Sequence, residues 1–243
     1  MGSNLRRMMP APRSLVLPPW LMWFLLVSLF LVQIAFGRAV APLRAAIEQM
    51  PSPPGQITTK VLAFGDEEFL FRALSHWLQD VGDGGGRVRP LRDYDYDRVV
   101  GWLQALDRMD DQSDYPFSLA AHYFGAITDP AGAPPRVAKI AEYFCTAALA
   151  QPARRWPWLV SAAAMARRSG MAPGVASDVA GAVIRLRDDP SVPRWLPLLA
   201  IPLYHRAGQD DLARRLEADP ELIGIRQELR QELGRRLRNL GVH

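Results

Sequence analysis

The chain has 243 residues, of which 22% are charged and 49% are hydrophobic, and its formal net charge is +4. Lys60 and Lys139 are the only lysines, and there is no lysine-rich tract of the kind that binds nucleic acid. Cys145 is the only cysteine, which excludes an intrachain disulfide and the metal sites that need cysteine pairs.

The stretch 15–36 contains no charged residue. An α-helix rises about 1.5 Å per residue and a bilayer core is about 30 Å thick, so this stretch predicts a single transmembrane helix. A cleaved signal peptide is the alternative, because Ala39-Val40-Ala41 resembles a cleavage site. Against it, the apolar stretch exceeds the usual signal-peptide length and Arg38 intrudes on the cleavage region.

The charges flanking this stretch predict its orientation. Three arginines precede it and two, Arg38 and Arg44, follow it. Basic residues favour the cytoplasmic side, so we expect a cytoplasmic N-terminus and a C-terminal domain across the membrane. The many Arg, Ala, Gly and Pro residues are typical of a GC-rich bacterial genome. The predicted location is therefore the bacterial inner membrane, single-pass, with the domain in the periplasm.

The patterns in the rest of the chain predict helices separated by Gly, Pro and Asp turns, without a convincing strand. We predict a cytoplasmic tail at 1–14, a linker at 37–64, a helical domain at 65–218 and a capping helix at 219–243. Asp66 is placed to cap the first long helix. The predicted helices are 66–81, 94–109, 115–127, 137–151, 156–170, 173–187, 195–206, 208–216 and 220–240.

Three of these helices open with an aromatic residue beside proline. Tyr115, Trp156 and Trp195 hold these positions, 41 and 39 residues apart. Spacings of this size mark arrays of helix pairs, which stack to bury their apolar faces. Small residues such as Ala120 and Ala162 follow in the second helices.

On these features, 65–216 resembles the tetratricopeptide-like (TPR-like) repeat proteins, although the period is near 40 rather than 34 and their tryptophan-glycine-tyrosine signature is not intact. The resemblance implies an all-α solenoid behind a transmembrane helix, and protein or peptide binding. An irregular helical bundle is the alternative.

No pattern in the chain points to catalysis, a cofactor or a metal. The glycine run 82–86 lacks the lysine of a phosphate-binding loop, and Asp93, Asp95 and Asp97 lack the glycine and glutamate of a calcium loop. The acidic group 107–114 is interpreted as a solvated turn with an N-cap rather than as an acid/base pair. We therefore expect a non-enzymatic protein.

The expected function is a membrane-anchored scaffold that binds other proteins, as in assembly of an inner-membrane or envelope complex. The expected partners are membrane-complex subunits and, through 15–36, the lipid bilayer, but not nucleic acid. Two alternatives stay open: a permanent accessory subunit of a membrane complex, and an envelope enzyme. The residues predicted to contact partners are Ser28, Gln33, Tyr115, Trp156 and Trp195.

Overall fold

The computed structural model describes residues 18–44, 50–84, 87–128, 136–168 and 170–239. The predicted tail at 1–14 and the first residues of the predicted span lie outside these ranges. The chain divides into two compact units, Met1–Glu48 and Gln49–His243.

Helix α1 (Pro19–Arg44) forms the described part of the first unit. Within it, Pro19–Ala39 is long and apolar enough to cross a membrane, with a mean hydropathy of 2.1, and is the one such helix among the described residues. The predicted span 15–36 therefore overlaps this segment, which extends three residues further. The helix continues beyond it to Arg44.

The described part of the second unit is helical, apart from two-residue strands β1 (Asp83–Gly84) and β2 (Arg87–Val88), which pair antiparallel. This confirms the all-α class. Its helices are α2 (Gln56–Ala63), α3 (Glu67–Asp80), α4 (Tyr96–Met109), α5 (Tyr115–His122), α6 (Arg136–Ala150), α7 (Pro152–Ala166), α8 (Pro173–Arg185), α9 (Ala200–Arg206), α10 (Asp210–Glu217) and α11 (Pro220–Asn239).

Consecutive helices pack as pairs. Helix α4 packs on α5, α6 on α7 and α8 on α9, and α10 then packs on α9. Helices α4, α6, α8 and α10 each open a repeat unit of the array. They begin 40, 37 and 37 residues apart (136−96, 173−136, 210−173). Helix α6 contacts both α4 and α8, so the first helices of three successive repeat units share one face.

Small residues allow the second helices to approach their neighbours closely. Ala120 of α5 and Ala162 of α7 are completely buried, as the run of alanines predicts. Aromatic rings fill the wider spaces: Phe117 is fully buried and stacks on Tyr143 at 4.9 Å between ring centroids. One continuous cluster of buried residues thus extends from Met50 and α3 to α9.

Helices α3 and α4 each begin with an aspartate N-cap, and the sequence predicted the first of these, Asp66. The Asp66 carboxylate accepts a hydrogen bond from the Phe69 backbone N–H at 2.8 Å, and Asp95 accepts from Asp97 and Arg98 at the start of α4. Both satisfy N–H groups that have no partner inside the helix.

The predicted starts of two second helices are wrong. Helix α7 begins at Pro152 and contains Pro157, instead of opening at Trp156. Pro152 suits this position because the missing N–H of a first-turn proline costs no hydrogen bond. After Trp195, a 3₁₀ turn (Leu196–Leu199) precedes α9. Helix α5 likewise ends early, and a 3₁₀ turn (Phe124–Ala126) takes the place of its last turn.

Both ends of the second unit differ from the predictions, which were a linker at 37–64 and a capping helix at 219–243. In the predicted linker, Trp102 Nε1 donates to the Pro51 carbonyl at 2.9 Å, and Gln56–Ala63 form α2. In α11, Leu222 and Ile225 are buried, but Leu229 and Leu233 are 43% and 58% exposed. Only the first turns of α11 therefore cover the array.

Candidate functional site

A groove of about 710 Å³ runs between α6 and α8, the first helices of two successive units. Helix α6 contributes Ala138, Ala141, Glu142, Cys145, Thr146 and Leu149, and helix α8 contributes Val175, Ser177, Asp178, Val179, Gly181 and Arg185. The floor is made of small and apolar side chains, because the larger residues of both helices point into the core. Polar side chains stand along the walls.

A second groove of about 270 Å³ lies between α4 and α6. Glu142 and Thr146 line both grooves, so the two openings meet along α6. In this second groove, the Lys139 ammonium pairs with the Asp97 carboxylate. The three first helices therefore present one continuous recessed face, which we call the first-helix groove.

Three charged side chains in the first-helix groove have no partner. Glu142, Asp178 and Arg185 are exposed, and none makes a hydrogen bond or ion pair with another described residue. Asp178 and Arg185 lie seven residues apart on α8, or about 10 Å along the axis. The groove thus offers one free carboxylate on α6, one in the middle of α8 and a free guanidinium at the last residue of α8.

Cys145 lies on the floor of this groove as a protonated thiol. Burial is the main cause that raises its pKa, to about 12, and the nearby Asp178 carboxylate raises it further. Only the thiolate is a good nucleophile, so this thiol is unsuited to covalent catalysis at neutral pH.

The acidic group 107–114 is bound by a buried arginine. Arg155, 1% exposed, donates to Asp107 Oδ1 at 2.7 Å and to Asp114 Oδ1 at 2.6 Å. It also donates to the backbone carbonyls of Asp111 and Ser113. The interpretation as a solvated turn with an N-cap is therefore incomplete: Asp114 precedes α5, but its side chain makes no capping hydrogen bond.

Arg155 was not among the residues predicted from the sequence, although its position carried a signal. Arg155, Leu159, Ala162 and Ala166 follow the three-and-four spacing of one helix face, and all four are buried. An arginine within an apolar stripe has to find acceptors in the core, because a buried charge is stable only when it is paired.

The predicted partner-contact aromatics lie at contacts between helices. The Tyr115 hydroxyl is 3.0 Å from Gln79 Oε1, to which it donates, and this bond joins α5 to α3. The rings of Trp156 and Trp195 meet edge to face at 5.7 Å between centroids, linking two units. None of the three lines the first-helix groove.

The two polar residues of α1 do not share a face. Ser28 and Gln33 are five residues apart, which separates them by about 140° around a helix. Ser28 is half-buried and Gln33 is exposed within α1's own unit. The prediction that Ser28 and Gln33 contact partners stays a prediction.

Among the described residues, no group of three or more His, Cys, Asp or Glu side chains is arranged to hold a metal ion. His205 is paired within the fold: its Nδ1 lies 2.7 Å from Asp210 Oδ1 and its Nε2 lies 3.3 Å from Glu217 Oε1. It joins α9 to α10.

Comparison of the chain with protein-family models, with curated proteins and with solved structures gives no match.

Proposed function

We propose that this protein is a membrane-anchored, TPR-like helical-repeat scaffold that binds another protein in its first-helix groove. The observation that carries the proposal is the set of unpaired charges, Glu142, Asp178 and Arg185, around a floor of small residues. An arrangement with free charges at its walls and an apolar floor has the composition of a surface that recognises a peptide or helix.

The bound segment should complement these charges. A basic side chain would face Glu142 and Asp178, and an acidic side chain would face Arg185 about two helical turns away. Such a charge pattern selects one orientation of the partner, because the reversed segment would bring like charges together.

The anchor fits this role by confining the groove to the neighbourhood of the membrane. The proposed partner is a subunit of an inner-membrane or envelope complex, bound on the periplasmic side during assembly or stabilisation. An export-dependent reporter fused after His243 tests this orientation: activity is expected, and an inactive fusion contradicts the periplasmic placement.

The groove is tested by reversing its free charges. Full-length protein extracted in mild detergent should migrate as a complex larger than a single chain in its micelle, together with a co-purifying subunit. The double variant Glu142→Lys with Asp178→Lys should release that subunit. The matched control carries Asp188→Lys and Asp211→Lys, which change the net charge equally at exposed sites outside the groove. Extraction as a free monomer, or equal loss in both double variants, contradicts the proposal.

The second candidate function, a permanent accessory subunit, would use α1 for packing. Because Ser28 and Gln33 point to different sides of α1, this role would require two neighbouring helices rather than one. Replacing α1 with an unrelated membrane helix separates the two functions: a scaffold keeps its partner after the exchange, whereas a packed subunit loses it.

A further inference from the structure

Helix α2 turns an apolar face away from the fold. Ile57, Val61 and Phe64 are 82%, 64% and 92% exposed, and their spacing of four and three residues places them on one side of the helix. The side toward the fold carries Ala63, which is buried, and α2 packs there on α3. This polarity is the reverse of that of an ordinary surface helix, whose apolar stripe faces the core.

The end of α2 is held in a strained conformation. Phe64 caps the helix with φ 49° and ψ 29°, and it is the one non-glycine residue with positive φ among the described residues. This left-handed region is rare for bulky side chains, and glycine normally takes such a position. A strained, solvent-exposed aromatic residue is a reason to look for a contact that uses the ring.

The charges next to this face are balanced. Lys60 lies on α2, Asp66 and Glu67 follow it, and Glu68 is paired with Arg72. Among these described residues there is no basic surplus of the kind that draws a surface onto anionic lipid headgroups. Any attachment of α2 must therefore come mainly from burial of its apolar side chains.

The length of the connecting chain limits how far the second unit can lie from the end of α1. Met50 is buried, and its carbonyl accepts a hydrogen bond from Arg98 Nη1 at 2.5 Å, so the second unit is attached from residue 50 onward. Six Cα–Cα steps separate Arg44 from Met50, which bridge at most about 20 Å. Helix α2 begins six residues after Met50.

We infer that α2 with Phe64 is a second membrane contact, in which Ile57, Val61 and Phe64 enter the lipid interface. This inference rests on the membrane anchor of the proposed function. Apolar faces of surface-bound helices lie about 5–10 Å into the boundary between headgroups and acyl chains. The short connection raises the effective concentration of lipid around the second unit, so a small apolar face can be enough for attachment.

The test is the depth of spin labels on the full-length protein in phosphatidylcholine vesicles. The labelled variants are Phe64→Cys, Ile57→Cys, Leu29→Cys in α1 and Asp211→Cys in α10, each with buried Cys145 replaced by alanine. Asp211 is 85% exposed and serves as the aqueous control. Accessibility to oxygen, which concentrates in lipid, is compared with accessibility to a water-soluble nickel complex.

Labels at 57 and 64 are expected to show a several-fold higher ratio of oxygen to nickel accessibility than the label at 211, with or without added phosphatidylglycerol. If they match the aqueous control while the label at 29 lies in lipid, the α2 contact is wrong and the anchor stands. A label at 29 in water overturns both. Labels at 57 and 64 shielded from both reagents identify a protein occupant, a second copy or another chain, and also overturn the inference.

Discussion

Arg155 of α7 donates a 2.7 Å hydrogen bond to Asp107 of α4, across two units of the array. The same guanidinium lies 4.1 Å from the centre of the Phe117 ring and also binds Asp114. This one side chain therefore joins the last turn of α4, the loop after it and the start of α5. The acidic group 107–114, which had the composition of an acid/base site, instead binds the buried guanidinium of Arg155.

Replacing Arg155 with methionine should lower the free energy of unfolding by about 3–5 kcal/mol, because Asp107 is left desolvated without its counter-charge. Thermal and urea unfolding in mild detergent measure the change. The matched control is Arg194→Met, one unit later in the same Arg-Trp dipeptide. Arg194 is 72% exposed and lies 3.8 Å from Glu221, so its loss should cost about 0.5 kcal/mol or less. Equal losses would contradict the structural role of Arg155.

Gly181 offers a way to fill the first-helix groove without disturbing the core. A Cβ added there meets no atom within 4 Å, and the residue lies inside α8. Gly181→Ala should therefore stabilise the protein by about 0.5–1 kcal/mol, through better helix propensity. Gly181→Leu should fold normally but lose the co-purifying subunit. A Gly181→Leu variant that folds and keeps its partner would show that binding occurs elsewhere.

Phe64→Gly should raise the free energy of unfolding by about 1 kcal/mol, because glycine adopts the left-handed conformation without the steric cost that other residues incur. Little packing is lost, since the ring is 92% exposed. The control is Phe64→Ala, which removes the ring but keeps the strain. Urea unfolding in detergent compares the three proteins, and a glycine variant no more stable than the alanine variant would argue against strain at this residue.

The stability of the α9–α10 contact should depend on pH. Hydrogen bonds with Asp210 and then Glu217 raise the pKa of His205 above its ordinary value. The folded protein therefore favours the protonated ring, so this contribution is complete below the unfolded pKa of about 6.5 and is lost as the pH rises through the higher folded pKa. The unfolding temperature of the wild type should fall more than that of His205→Gln between about pH 6 and pH 8.5. Identical pH profiles would contradict the assignment.

The pair Trp156 and Trp195 tests the stacking of units. Edge-to-face rings contribute about 0.5–1.5 kcal/mol beyond their buried area. A double-mutant cycle with Trp156→Leu and Trp195→Leu should therefore give a coupling energy in this range. Trp77→Leu serves with Trp195→Leu as the uncoupled control, because the Trp77 ring packs on Trp102 instead. Additive effects in the first cycle would place the two rings in independent environments.

Much of the fold followed from local features of the sequence. The sequence predicted the length and apolarity of α1, the cap at Asp66 and the prolines that open α8 and α11, because each depends on neighbours within one helical turn. The repeat of helix pairs was visible for the same reason: apolar stripes and turn residues recur at a regular spacing.

The early start of α7 was decided by contacts distant in sequence. Extending the helix back to Pro152 puts Arg155 in the first turns, where it meets acceptors more than 40 residues away in the chain. The sequence predicted a helix start next to Pro157 because a proline inside a helix is destabilising. The hydrogen bonds of Arg155 coincide with the longer helix and supply a reason for it.

Residue patterns along the chain predicted a candidate membrane span, an all-helical domain and the pairing of its helices, since periodicity shows which face of a helix is buried. The folded arrangement specifies which side chains meet between those faces. It brought Glu142, Asp178 and Arg185 to one groove, assigned Arg155 to the acidic turn and left Ile57 and Phe64 pointing outward. Hydrophobic spacing identifies the buried face of a helix but not the helix that packs against it, and each of these sites depends on how different helices pack together.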